Sequence, residues 1–160
     1  MFPYIIYTDL IFDMVSFLMI LCQTIERIKM NINDTYEFNY TVEEKDLASL
    51  LPLEVGDGFP AVLATYRMIA LMEMAAARMM HPLLKEGELS VGVNVNTMHT
   101  APTLVGDTIT IKATFTQMQD KLYSFDVQIV DSGGRAGKGT HTRAIVNNAK
   151  LMAGAAKRVS

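Results

Sequence analysis

The sequence predicts a single α+β domain in which an antiparallel sheet wraps around one long buried helix. Residues 61–84 are rich in Ala, Leu and Met and are apolar on nearly every side, which is typical of a helix enclosed by protein. After Gly87 the chain alternates between apolar and polar residues, with many β-branched side chains, as strands do. Short turns between these strands favour antiparallel neighbours, and such a sheet needs one face covered.

The elements follow one another in a simple order. A first strand is predicted over residues 36–41, followed by a loop-like stretch with a short helical turn over residues 44–51. Pro82 and Gly87 end the long helix. Four further strands are predicted, and the residues after Lys150 are either a frayed helix or a tail. The four strands cover residues 91–97, 107–118, 122–130 and 138–146.

The amino-acid composition excludes several classes of function. The chain has 160 residues, half of them apolar, and a net charge of −3, which fits one domain with a full core. Lysines and arginines are scattered, which argues against a nucleic-acid-binding face. Cys22 is the only cysteine, so the chain has no internal disulfide and no cysteine-rich zinc site, in keeping with a cytoplasmic protein. Neither a metal nor a separate cofactor is expected.

Residues 1–29 differ from the rest of the chain. They are strongly apolar but lack a cation before Arg27, unlike a secretory signal, and the uninterrupted apolar run over residues 14–22 is too short to span a bilayer. Three interpretations are open: a packing helix, a weak membrane-surface anchor, or a segment foreign to the natural protein. We favour the last, since Met30 would make a normal start. The domain is then residues 30–149, with a tail over residues 150–160, and we expect no membrane association.

Three side chains are candidates for acid–base chemistry. Glu73 lies among apolar neighbours in the predicted helix, which makes its carboxylate a candidate general base or nucleophile. The alternative is a narrow exposed stripe where it pairs with Arg67 or Arg78. His99 ends a strand before a loop, where it could transfer protons near neutral pH or be merely structural. Thr65, near the helix start, could also be a simple cap.

A wider set of motifs surrounds these residues at a characteristic spacing. Glu73 follows Thr65 by eight positions, and His99 follows Glu73 by 26. The other motifs are Phe59-Pro60-Ala61-Val62-Leu63-Ala64 before Thr65, Leu71-Met72 before Glu73, Val91-Gly92, Ala101, Gly106 and Gly139-Thr140-His141-Thr142-Arg143. Over residues 34–147 the chain thereby resembles the fluoroacetyl-CoA thioesterase family, which has the hot-dog fold.

The resemblance implies a cytoplasmic acyl-CoA thioesterase that hydrolyses a small acyl-CoA to the free acid and CoA. It also implies a homodimer with active sites at the subunit interface, and it makes the three candidates above the catalytic residues. Gly92 and Arg143 match positions that shape the acyl pocket, and Phe59 matches an aromatic residue near the pocket entrance. CoA enters as part of the substrate.

The chain departs from the family pattern beside two of the candidates. Tyr66 follows Thr65 where the family often has Gly, and residues 74–76 after Glu73 are Met-Ala-Ala where the family often has an aromatic residue and then Ala-Cys. The acyl pocket is therefore expected to differ, and selectivity for fluoroacetyl-CoA does not follow from the resemblance.

Helix geometry sets a condition on the three candidates. If one helix ran from Thr65 to Glu73, it would separate them by about 12 Å along its axis. Either Thr65 lies on the loop before the helix, or the three residues come from two subunits. The main alternative function is a non-catalytic hot-dog module that binds acyl-CoA. A hot-dog enoyl hydratase ranks lower, because no Asp precedes His99 at the short spacing such enzymes use.

Overall fold

The computed structural model describes residues 29–52 and 54–159, and within them one five-stranded antiparallel sheet encloses a central helix. The expectations for residues 1–28 lie outside this part. In space the strands are ordered β1-β3-β4-β5-β2, so β1 and β2 are the edges. The strands are β1 Thr35–Thr41, β2 Glu88–His99, β3 Thr108–Gln119, β4 Leu122–Asp131 and β5 Gly134–Asn147; the helices are α1 Thr65–Met80 and α2 Asn148–Lys157.

Three short 3-10 turns complete the described elements. Glu44–Asp46 and Ala48–Leu50 lie where the sequence predicts a helical turn, and His81–Leu83 extends the end of α1. The C-terminal residues form a helix rather than an irregular tail. The side chain of Asn147 begins α2 by accepting a hydrogen bond from the N–H of Lys150 at 3.0 Å, and no residue of α2 is buried.

The helix α1 begins at Thr65, four residues after the predicted start. The preceding residues are good helix formers, but their backbone groups bind loops instead. The N–H of Leu63 donates to the carbonyl of Thr103, and the N–H of Ala64 donates to the carbonyl of Asp46, both at 2.9 Å. Tertiary pairing thus overrides local propensity and fixes where the helix starts.

The core lies between α1 and the inner face of the sheet. In β3, Ile109, Ile111, Ala113 and Phe115 alternate with polar residues and are buried against the helix. Each large apolar side chain buried in this way contributes about 1.5–3 kcal/mol to stability. The buried residues of α1 are Met68, Leu71, Met72, Ala75, Ala76 and Met80.

The opposite side of α1 is more open than the sequence indicates. Tyr66 is 49% exposed, and Arg78 is exposed with its guanidinium 4.4 Å from the ring centre of Phe38. The predicted burial on most sides therefore holds only for the side that faces the sheet. No helix among the described residues is long and apolar enough to cross a bilayer. The same residues hold no group of three or more His, Cys, Asp or Glu that could bind a metal.

Candidate active site

Thr65 and His99 form a hydrogen-bonded pair where the first turn of α1 meets the end of β2. The Oγ1 atom of Thr65 lies 3.0 Å from Nδ1 of His99. Ala64 occupies the cap position of α1 and makes no side-chain cap bond, so the interpretation of Thr65 as a helix cap is wrong. Among the described residues, Nε2 of His99 is buried and has no hydrogen-bond partner. One hydrogen-bonding position of this imidazole is therefore unused within the described residues.

A buried ion-pair network anchors the chain just before this pair. Asp46 is fully buried and accepts hydrogen bonds from Oη of Tyr40 at 2.7 Å, from Nε of Arg67 at 2.6 Å and from the N–H of Glu43 at 2.9 Å. Burial alone would raise the pKa of Asp46, but these three donors hold it below its usual value. Since the backbone of Asp46 also binds Ala64, the network fixes the start of α1.

Glu73 lies eight residues further along α1, in a second cluster. Its side chain is 39% exposed, and it faces Gly92 of β2. A Cβ atom at Gly92 would collide with Oε1 of Glu73, so only glycine leaves the space that this carboxylate occupies. The alternative pairing of Glu73 is wrong, because Arg67 binds Asp46 and Arg78 lies over an aromatic ring.

His141 and Arg143 of β5 form the floor beneath Glu73. Both are buried. Nδ1 of His141 lies 2.8 Å from the carbonyl of Asn94, and its Nε2 lies 3.0 Å from Nη1 of Arg143 and 3.6 Å from Oε1 of Glu73. Burial lowers the pKa of His141, and the neighbouring Arg143 charge lowers it further, so the imidazole is neutral near pH 7.

The guanidinium of Arg143 is held by several acceptors. Its Nε donates to Oγ of Ser90 at 3.2 Å, and its Nη2 donates to the carbonyl of Ser90 at 2.7 Å. Its Nη1 also reaches the carbonyl of Glu73 at 3.4 Å. Burial lowers the pKa of Arg143, while the Glu73 carboxylate opposes this shift. The structure therefore brings both Arg143 and Gly92 close to Glu73.

A cleft opens beside this second cluster. It has a volume of about 490 Å³ and lies between the second half of α1 and the start of β2. It reaches Ser90, which holds Arg143. Its lining residues are Tyr36, Met74, Ala77, Arg78, His81, Leu84, Leu89 and Ser90.

One subunit does not bring all the predicted catalytic residues together. Thr65 is the first residue of α1 and Glu73 lies in the same helix, about 12 Å further along the axis. Placement of Thr65 on a loop is therefore wrong. Phe59 lies in the irregular stretch before α1 and is 49% exposed.

The sequence does not predict the roles of two residues near the site, Asp46 and His141. Asp46 gives no signal, because it follows Glu44 and Lys45 and resembles a solvated residue. His141 and Arg143 are two residues apart in β5, so their side chains lie on the same face of the sheet. The sequence alone does not show whether that is the inner or the outer face.

Comparisons with known proteins agree with this architecture. A family model described as FlK, fluoroacetyl-CoA-specific thioesterase, matches residues 42–149. The fluoroacetyl-CoA thioesterase of Streptantibioticus cattleyicolor is 39% identical over 95 residues, which are 59% of this chain and 68% of the relative.

Solved structures with a similar fold include relatives of the same family. A structure of the fluoroacetyl-CoA thioesterase FlK superimposes with a TM-score of 0.77 at 31% identity, covering 81% of this chain and 98% of the other. A hot-dog-like protein from Thermanaerovibrio acidaminovorans superimposes with a TM-score of 0.73 at 19% identity, covering 82% and 94%. The predicted hot-dog fold is thereby confirmed.

Proposed function

This chain belongs to the family of fluoroacetyl-CoA-specific thioesterases, and we propose that it hydrolyses the thioester of a small acyl-CoA at a site shared by two subunits. The family match spans residues 42–149, so the predicted family and the predicted class, a thioester hydrolase, are confirmed. The proposal goes further in assigning the site residues and the second subunit.

The separation of the two clusters within one subunit carries this proposal. Among the described residues, the Thr65–His99 pair has a nitrogen without a hydrogen-bond partner. The imidazole beside the Glu73 carboxylate belongs to His141. Its Nε2 accepts from Arg143 and its Nδ1 donates to a backbone carbonyl, so it has no proton to give a leaving group. Hydrolysis of a thioester needs both functions at one carbonyl. The helix holds them about 12 Å apart, so a second copy of the chain has to supply one of them.

The edge strand β2 is the surface on which this second copy fits. Within the described residues β2 pairs only with β5, and its side chains Val93 and Met98 are 54% and 58% exposed. An unpaired, partly apolar edge is a template for another strand. In a two-fold antiparallel pair, the end of one β2 lies beside the beginning of the other. His99 of the partner subunit then approaches Gly92 and Glu73.

The chemistry follows from these positions. The Glu73 carboxylate takes a proton from water as the water oxygen bonds to the thioester carbonyl carbon. When the C–S bond then breaks, the leaving sulfur takes a proton from the partner's His99, giving the free acid and the CoA thiol. The proton that Glu73 took from water then returns to that imidazole, which restores both groups. The hydroxyl of Thr65 orients the imidazole through Nδ1.

The start of α1 in the subunit that supplies His99 provides donors for the negative charge that develops on the carbonyl oxygen. The first helical hydrogen bond is donated by the N–H of Met68 to Ala64, which leaves the N–H groups of residues 65–67 without acceptors in the helix. Such donors at a helix N-terminus stabilise an oxyanion. The narrow space at Gly92 favours a short acyl chain.

Three variants test the proposal against a panel of short, branched and aryl acyl-CoA thioesters, with the released thiol as the readout. We expect Glu73→Gln and His99→Ala to lose kcat by about 100-fold or more, as removal of a general acid or base does. Glu86→Gln changes an exposed carboxyl outside the site and should leave kcat unchanged. Binding of acyl-CoA without turnover by the natural chain would instead favour the non-catalytic module.

A further inference from the structure

We infer that His141 is a positioning residue, which accepts a hydrogen bond from Arg143 and so keeps the guanidinium from pairing with the Glu73 carboxylate. This inference rests on the proposed function, because it concerns how the base of that reaction is kept free. His141 itself need not touch the substrate.

The hydrogen-bond partners of His141 fix its tautomer. The carbonyl of Asn94 can only accept, so Nδ1 carries the proton at the 2.8 Å contact. An arginine can only donate, so Nε2 is the acceptor at the 3.0 Å contact with Nη1 of Arg143. The imidazole is therefore neutral, and its 3.6 Å approach to Oε1 of Glu73 is not an ion pair.

The arrangement leaves a buried cation close to a carboxylate without joining them. Within the described part of the chain, no ion pair links Arg143 to Glu73 within 4.0 Å, although Nη1 reaches the backbone carbonyl of Glu73. Among the residues that the structure describes, the charged groups that face His141 are Arg143 on β5 and Glu73 on α1. Nε2 of His141 lies 3.0 Å from Nη1 of Arg143 and 3.6 Å from Oε1 of Glu73, so it engages Nη1 beside the carboxylate.

Loss of this acceptor would change the state of Glu73. The Nη1 hydrogen that no longer binds His141 would turn to the nearest anionic acceptor, since a charged donor without a partner is costly in a buried site. A direct arginine–carboxylate pair would then occupy the oxygen that has to accept the proton from water, and would weaken it as a base. The positive charge of Arg143 is useful near the site but harmful in direct contact.

Two amide substitutions separate this role from a structural one. The side-chain oxygen of His141→Gln reaches the place of Nε2 and can accept from Arg143, but it gives up the bond to Asn94. The amide of His141→Asn reaches the place of Nδ1 and can keep the bond to Asn94, but it offers Arg143 no acceptor. If His141 acts through Arg143, His141→Gln should have the higher kcat. If its role is to anchor the strand through Asn94, His141→Asn should have the higher kcat.

The test measures kcat and KM of the natural chain and both variants on the best short acyl-CoA, with thermal unfolding in parallel. We expect His141→Gln to stay within about threefold of the natural kcat and His141→Asn to lose about 10- to 100-fold, with KM little changed, as for one hydrogen bond to a charged group. Equal kcat values for the two folded variants, or the reverse rank, would overturn the inference. An inactive natural chain would instead overturn the proposed function.

Discussion

The Thr65–His99 pair and the Glu73 cluster lie along the same helix but are built in different ways. The pair joins the first residue of α1 to the last residue of β2 by a single side-chain hydrogen bond. The cluster lies mid-helix over the sheet, and each of the three guanidinium nitrogens of Arg143 donates to an acceptor. The first arrangement leaves one nitrogen of His99 without a hydrogen-bond partner among the described residues, whereas the second fixes the surroundings of a carboxylate in advance.

Apart from removal of the proposed acid or base, the largest expected effect comes from filling the space in the Glu73 cluster. In Gly92→Ala the new Cβ atom displaces Oε1 of Glu73, and because that oxygen ends a flexible side chain, the fold is retained while the base moves. We expect kcat to fall by about 100-fold, the usual cost of misplacing a reacting group by about 1 Å.

The matched control is Gly154→Ala, because a Cβ atom there meets nothing within 4 Å. It should leave kcat unchanged. If Gly92→Ala retained the natural kcat, activity would not depend on the fixed position of Glu73. The description of the Glu73 cluster as preorganised would then be wrong.

A smaller effect is expected at the pair, since its hydroxyl only orients the imidazole. Thr65→Val keeps the shape but removes the hydrogen bond to His99, so kcat should fall by about tenfold, the equivalent of one hydrogen bond. Thr65→Ser keeps the hydroxyl and should stay near the natural rate. Steady-state kinetics on the same acyl-CoA checks both; a loss of 100-fold or more in Thr65→Val, or equal losses in Thr65→Val and Thr65→Ser, would contradict a purely orienting role.

Substitution of Asp46, which anchors the start of α1, is expected to have the smallest effect on catalysis. It should nevertheless lower the stability clearly. The folded pKa of Asp46 lies below its unfolded value, so its stabilisation is present at neutral pH and is lost as the pH falls below the ordinary Asp pKa of about 4. Urea unfolding at pH 7 should show Asp46→Asn less stable by about 1–3 kcal/mol, because Arg67 loses its charged partner.

The difference between Asp46→Asn and the natural chain should shrink as the pH is lowered toward 3, because the natural carboxyl gains protons as the pH approaches its lowered folded pKa. Asp126→Asn, on the exposed outer face of β4, should match the natural chain at both values. A difference that stays constant with pH would mean that the charge of Asp46 contributes nothing to holding the start of α1.

The sequence predicts the strands well and the site only in part, for physical reasons. Alternation places β3 within one residue of its observed bounds, because strand periodicity is local. The predicted start of α1 is wrong, because the N–H of Ala64 donates to the carbonyl of Asp46, a distant residue that no local sequence pattern reveals. The hydrogen bond of Thr65 to His99 joins residues 34 positions apart, and only the family spacing linked them beforehand.

Mixed dimers test the shared site most directly. Consider a dimer of one Glu73→Gln subunit and one His99→Ala subunit. If each active site takes Glu73 from one subunit and His99 from the other, one of the two sites is unmodified and the other carries both substitutions. Purified through two different affinity tags, such heterodimers should recover about half of the natural kcat per dimer, although each parent homodimer is inactive. Heterodimers as inactive as their parents would place the whole reaction within one subunit and contradict the account.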